Sequence, residues 1–244
     1  VLERILPPSA HWSQSFTDRQ DAALFPQESA VVSRALPRRK AEFATVRACA
    51  RDALAALGHA PVPLLPGEYG APAWPDGVVG SMTHCAGYRA AVVAHGEDVA
   101  ALGIDAEPHD ALPARVLRAI ARPEELGTLA ALPQAGGVAW DRVLFSAKES
   151  VYKAWFPVAR RWLGFQEATV VIDPGGTFTA RLHTTGPELL GRPLTGFTGR
   201  WATSDALVAT AVAVERNPRR APGGARGGPY SACERVTTEG ETVP

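Results

Sequence analysis

Three short segments of this chain carry side chains whose types and spacing could do chemistry together. In Gly103-Ile104-Asp105-Ala106-Glu107 the two acids stand two residues apart, so on a strand they share one face and repel unless they are exposed or neutralised by a cation. Hard divalent cations such as magnesium take oxygen ligands of this kind. In Phe145-Ser146-Ala147-Lys148-Glu149-Ser150-Val151-Tyr152-Lys153-Ala154-Trp155 a helix would set Glu149 and Lys153 one above the other, four residues apart. Two readings stand for that pair: an ordinary surface ion pair, or a third carboxylate for a metal site with an ammonium that faces phosphate. Lysine use favours the second, because Lys40, Lys148 and Lys153 are the only lysines among 25 basic residues, and a compact ammonium suits other sites than a planar guanidinium. In Gly80-Ser81-Met82-Thr83-His84 a hydroxyl and an imidazole end a strand, where they serve either as satisfied structural groups or as a phosphate contact through a cationic or donor histidine.

The elements that must position these groups are legible in outline. Pro37 and Gly58 bracket a helix whose stripe Phe43, Val46, Ala50, Leu54 and Leu57 is apolar. Lys40, Arg47 and Arg51 project on an adjoining face with Arg39 nearby; such a ridge is either solvated surface or a clamp for a multiply charged phosphate. Before it, an extended start and a short helix are expected over residues 1–35. Residues 59–77 form a Pro/Gly-rich loop. Runs at Val78–Thr83, Arg89–Ala94 and Val99–Glu107 predict an antiparallel meander. Helical pattern follows over 112–132 and 139–158, and strands return at Ala168–Ile172, Thr177–His183, Gly196–Ala202 and Ala206–Val214. Helix followed by strands thus occurs once in each half, which suggests an internal duplication. Beyond Asn217 the chain is rich in Arg, Gly and Pro, has little to bury, and is expected to be a disordered tail over 217–244.

Bulk properties narrow the class. With 25 acids, 25 bases and 46% hydrophobic residues in 244, the chain can bury a full core and carries no global field that would draw it to nucleic acid or a membrane surface. No apolar run reaches membrane-span length and no signal peptide pattern is seen. Cys49, Cys85 and Cys233 are odd in number and widely spaced, which fits free thiols in a reducing cytoplasm. Together, oxygen ligands for a metal, a lysine and a basic helix point to a diphosphate site and to phosphoryl-group chemistry.

The combination of Gly-Ser-Met-Thr-His (80–84), Gly-Ile-Asp-Ala-Glu (103–107) and Phe-Ser-Ala-Lys-Glu-Ser-x-x-Lys (145–153) resembles the Sfp-type 4'-phosphopantetheinyl transferases. Pro72-Ala73-Trp74-Pro75-Asp76-Gly77, Lys153-Ala154-Trp155-Phe156-Pro157 and Arg161-Trp162-Leu163-Gly164-Phe165 extend the likeness toward the branch of enterobactin synthase component D and its actinobacterial counterparts, over about residues 36–215. The resemblance implies an α+β fold, a pseudo-dimer of two similar α/β halves with antiparallel sheets packed against helices and coenzyme A between them. The halves would be 1–102, with the basic helix, and 103–216, with the metal and catalytic motifs. It further implies magnesium, with manganese as the alternative, on Asp105, Glu107 and Glu149, with Asp105 also beside the coenzyme. Lys153 would contact the diphosphate, Thr83 and His84 the nucleotide end, Arg39 and Arg47 phosphate, and Lys148 and Leu163 would line the cleft. The implied reaction is transfer of phosphopantetheine from coenzyme A to a serine of an apo acyl or peptidyl carrier protein by a cytoplasmic monomer, with Glu149 and Lys153 catalytic and adenosine 3',5'-bisphosphate released. Nonribosomal peptide, polyketide, siderophore and fatty-acid carriers all stand as acceptors; the alternative is a non-catalytic relative that only binds coenzyme A or a carrier. One departure is visible: the loop Pro66-Gly67-Glu68-Tyr69-Gly70-Ala71-Pro72 lacks the basic residue that relatives often carry there.

Overall fold

The computed structural model describes residues 1–216; the tail expected at 217–244 lies outside them. In chain order, β1 (His11–Ser15), α1 (Pro26–Val31) and α2 (Pro37–Ala56) precede β2 (Val78–Cys85), β3 (Tyr88–His95) and β4 (Val99–Pro108). Then come α3 (Ala114–Ile120), α4 (Pro123–Ala131), α5 (Trp140–Ala159), β5 (Ala168–Asp173), β6 (Thr177–Leu182), β7 (Glu188–Leu189), β8 (Arg192–Pro193), β9 (Gly196–Thr203) and β10 (Leu207–Glu215). The helical pattern over 112–132 is therefore two helices, broken where Pro123 starts the second. The architecture is α+β, with a three-stranded sheet β1-β3-β2, a five-stranded sheet β4-β10-β9-β6-β5 and a small β7-β8 ribbon, all antiparallel.

Proline opens α2 and glycine closes it. Pro37 takes the first helical position, where its missing N–H is no loss. At the far end His59 N–H reaches Leu54 C=O and Gly58 N–H reaches Ala55 C=O, with Gly58 at φ +91°, a left-handed turn that glycine accepts without strain. Its apolar stripe packs on β3, where Cys49, Ala50, Leu54 and Leu57 meet Ala91 and Val93. The alternate β3 residues Ala90, Val92 and Ala94 turn the other way, into a layer shared with Leu102, Ile104 and Ala106 of β4 and Ala209 and Ala211 of β10. Period-two alternation on β3 therefore joins the two halves.

The expected meander fails at its third strand. β2 and β3 pair as a hairpin, but β4 pairs with β10, and β1 occupies the second edge of β3. The boundary expected at 102/103 thus falls inside β4, a strand that belongs wholly to the larger sheet. β4 still lies beside β2, held by hydroxyls in place of a carbonyl ladder. Ile104 N–H donates to Ser81 Oγ at 3.0 Å, and Ala106 N–H donates to Thr83 Oγ1 at 3.0 Å.

The other face of β4 meets α5. Gly103 is what permits the approach: a Cβ there would stand 2.1 Å from Ser150 C=O and 2.6 Å from Ala154 N. Beside it Thr210 of β10 donates to Ser146 C=O at 2.8 Å, with the Ser146 hydroxyl 3.0 Å away. α5 is thereby seated in one register on β4, and the face that carries Gly103, Asp105 and Glu107 looks toward the helix that carries Glu149 and Lys153.

Candidate active site

The acids and the lysine come together as the strand and helix periods require. Lys153 Nζ lies 2.7 Å from Asp105 Oδ1, and Thr83 Oγ1 stands 3.3 Å from the same oxygen. Lys153 therefore bonds across to β4, not along α5 to Glu149. Asp105 is nearly fully buried, and its second oxygen, Oδ2, has no hydrogen-bond partner. A buried carboxylate oxygen left unpaired is costly, so something outside the chain is wanted there.

Glu107 and Glu149 respond to the same crowding. Burial, followed by the Asp105 charge, pushes the Glu107 carboxyl up to about 7, against the pull of Arg142 and Lys153. Burial also raises Glu149, with Asp105 adding to the rise and Lys153 opposing it. Upward shifts of neighbouring acids are the mark of carboxylates short of positive charge. Among the described residues no three acids, histidines or cysteines converge into a ready metal cage. The donors are thus of the right kind for a hard cation, while Lys153 holds Asp105 and Arg142 holds Glu107.

Arg142 is a residue that spacing did not reveal. From the first turn of α5 its fork reaches Glu107 Oε2 at 3.1 Å, Asp110 C=O at 2.8 Å and Ala111 C=O at 3.3 Å. Next to it Asp141 Oδ2 accepts from Leu112 N–H at 2.8 Å. The two side chains tie the end of β4 to the start of the helix bearing Glu149.

A second group gathers cations. Arg39 Nη1 lies 2.6 Å from His84 Nε2. Burial, then the Arg39 charge, pulls the His84 ring below its usual range, so as placed His84 is neutral and accepts from Arg39. A neutral ring that accepts at Nε2 carries its proton on Nδ1, so the N–H donor expected from the motif is confined to that nitrogen. Arg47, expected beside Arg39, is instead largely buried: its guanidinium carbon sits 3.2 Å from the Phe43 ring centroid and its Nε donates to Leu64 C=O at 3.0 Å. Burial brings it down to about 10.

Lys148 points away from the acids. Its ammonium donates to Phe165 C=O at 2.7 Å and Ala168 C=O at 2.9 Å and pairs with Glu125 at 2.8 Å, in a site almost closed to solvent. Yet Lys148, Glu149, Tyr152, Trp162 and Leu163 together line a small cavity of about 50 Å³. Tyr152 Oη is buried there without a partner. The loop that lacks a basic residue brings an aromatic to this rim, with Tyr69 5.4 Å from Phe156 and 5.9 Å from Trp162 between ring centroids.

Models of one family match both halves of the chain. The model of the 4'-phosphopantetheinyl transferase N-terminal domain matches residues 27–94, and that of the 4'-phosphopantetheinyl transferase superfamily matches 101–203. The 4'-phosphopantetheinyl transferase Svp of Streptomyces mobaraensis is 55% identical over 219 residues, 88% of this chain and 89% of its own. The chain belongs to the 4'-phosphopantetheinyl transferase superfamily. PptT of Mycobacterium tuberculosis is 46% identical over 206 residues, covering 82% of this chain and 90% of its own. Enterobactin synthase component D of Salmonella typhimurium is 37% identical over 124 residues, 48% of this chain and 49% of its own. The 4'-phosphopantetheinyl transferase fold thus accounts for the α+β architecture, and this is a coenzyme A-utilising transferase. No helix among the described residues is long and apolar enough to cross a membrane.

Proposed function

We propose that this transferase moves 4'-phosphopantetheine from coenzyme A to a serine of an apo acyl or peptidyl carrier protein, with adenosine 3',5'-bisphosphate as the second product. The observation that carries the site assignment is the set of under-neutralised acids around Asp105, whose Oδ2 has no partner. Magnesium, or manganese, fits that donor set, and Asp105, Glu107 and Glu149 would hold it. When bound, it supplies charge neutralisation to the diphosphate.

The side chains then divide the work. Arg39 and His84 bind the 3'-phosphate, and Thr83 and Arg47 complete the nucleotide end. The cavity at Lys148, Tyr152 and Leu163 takes the pantetheine arm, with Tyr152 Oη as a hydrogen-bond donor into it. Glu149, raised by burial, accepts the proton of the carrier serine. The serine oxygen forms a bond to the β-phosphorus as the bond to the α-phosphate oxygen breaks, and Lys153 faces the charge that develops there. The halves 1–102 and 103–216 contribute the Arg39–His84 pair and the acids respectively, within a monomer of the cytoplasm that serves nonribosomal peptide, polyketide or siderophore carriers.

Incubation with coenzyme A, magnesium and an apo carrier protein, followed by intact mass, tests this. The carrier gains one phosphopantetheine, and Glu149→Gln lowers the rate by about 10²-fold or more. Coenzyme A binding without any mass gain would identify a non-catalytic relative, and coenzyme A cleavage without a carrier would identify a hydrolase.

A further inference from the structure

A carboxylate stands where a phosphate cradle should want none. Glu42, largely buried on α2, pairs with Arg38 at 3.0 Å, Arg39 at 3.7 Å and Arg89 at 3.4 Å. Arg89 is itself buried and paired with Asp18 at 2.7 Å, and its Nη1 donates to Cys85 C=O at 2.8 Å and Tyr88 C=O at 3.3 Å, the two ends of the turn between β2 and β3. His84 lies one residue before that turn, directly across the ladder from Arg89. Arg39 and His84 thus sit on separate elements, a helix and a hairpin, and Glu42 forms ion pairs with Arg39 on the one and with Arg89, the ladder partner of His84, on the other.

We infer that Glu42 is a positioning residue that holds Arg39 and the His84 hairpin in the spacing required to receive the 3'-phosphate of coenzyme A. The inference rests on the placement of that phosphate between Arg39 and His84. Two effects compete. By Coulomb's law a negative charge within a cationic cradle repels the ligand, so its removal should tighten binding. Against this, long arginine side chains hold one geometry only when a partner fixes them, and a fixed fork recognises phosphate far better than a mobile one. Arg39 is half exposed and has no partners besides Glu42 and His84 among the bonds of the described residues. The positioning effect therefore dominates.

The sign of the effect decides the matter. Glu42→Gln is nearly isosteric, and Glu42→Asp keeps the charge but shortens the reach. Calorimetric titration at fixed ionic strength with coenzyme A and with dephospho-coenzyme A, which lacks the 3'-phosphate, is the measurement, with thermal melts to confirm that both variants fold. Both variants are expected to bind coenzyme A about tenfold more weakly, the loss of roughly one charge-assisted contact, while dephospho-coenzyme A changes less than about twofold. Tighter or unchanged binding by Glu42→Gln, or wild-type binding by Glu42→Asp, would overturn the role of Glu42. Failure of the underlying placement looks different: the wild-type protein itself would bind the two ligands equally.

Discussion

Lys153 Nζ and Asp105 Oδ1 are 2.7 Å apart, a contact that joins the helix of the second half to the strand beside the first half. It supplies the acids with their nearest ammonium and leaves Asp105 Oδ2 unpaired. Lys153→Ala would strand Asp105 among Glu107 and Glu149. Without metal the variant should unfold with roughly 1–3 kcal/mol less stability, the penalty of a buried charge that loses its partner in a site still partly open to water. Added magnesium should raise its melting temperature by more than it raises that of the wild-type protein, while transfer stays low. Equal magnesium-induced shifts in the two proteins would show that the acids do not share a cation.

His84 gives a pH prediction. Its ring is held below the ordinary 6.5 by burial and Arg39, so the folded chain binds fewer protons there than the unfolded chain does. Stability then rises with pH across this window. The contribution is fully present above 6.5 and is lost as pH falls through 6.5 toward the lower folded value. Denaturant midpoints from pH 7 to pH 5 should fall more steeply for the wild-type protein than for His84→Gln. An anion between Arg39 and His84 favours the protonated ring, so coenzyme A binding near pH 6.5 should take up protons, read as a dependence of the calorimetric heat on buffer ionisation. Heats independent of the buffer would place the phosphate elsewhere.

How much of this was legible follows from the range of each signal. Local patterns carried far: the helix from Pro37, the strand faces of Asp105 and Glu107, and the register of Glu149 and Lys153 on α5 all depend on periodicity within a few residues. Pairings distant in sequence did not show. The short turn at Gly96-Glu97-Asp98 reads as a hairpin, yet β3 already has β1 and β2 on its edges, so β4 crosses to β10. Lys148 was conspicuous as a rare lysine, but its partner Glu125 lies 23 residues away on α4, a distance no spacing rule spans. Arg142 and Glu42 were missed for different reasons. Glu42 sits four residues from Arg38 and three from Arg39, a visible helical triplet that reads as surface pairing until Arg89 joins it. Arg142 is 35 residues from Glu107, and nothing local marks it.

Arg142 holds Glu107 through a fork that also grips two backbone carbonyls. Arg142→Lys keeps the charge and loses the planar geometry, so the end of β4 should come loose from α5. The magnesium concentration for half-maximal transfer is expected to rise about tenfold, the equivalent of roughly 1.4 kcal/mol in metal affinity. Mn²⁺ titration followed by the spectrum of the free ion supplies a readout independent of turnover. A lower melting temperature with unchanged metal response would confine Arg142 to a structural role.

Gly103 offers a test of how tightly the site depends on backbone approach. A methyl group at this position cannot stay 2.1 Å from Ser150 C=O, and the obstacle is helix backbone, which cannot rotate aside as a side chain would. β4 and α5 must therefore separate, and Asp105 and Glu107 move away from Glu149 and Lys153 as they do. Overpacking of this kind costs about 1–3 kcal/mol in well-packed cores. For Gly103→Ala the loss should fall at the upper end, because two backbone atoms lie within 2.6 Å. Transfer should fall by more than the unfolded fraction explains, measured well below the variant's melting temperature. Gly127→Ala, on the open face of α4 with nothing within 4 Å of the added methyl, is the matched control and should match or exceed the wild-type protein in stability. If Gly103→Ala melted and turned over like that control, the close seating of α5 on β4 would not be what sets the distance between the acids and the lysine.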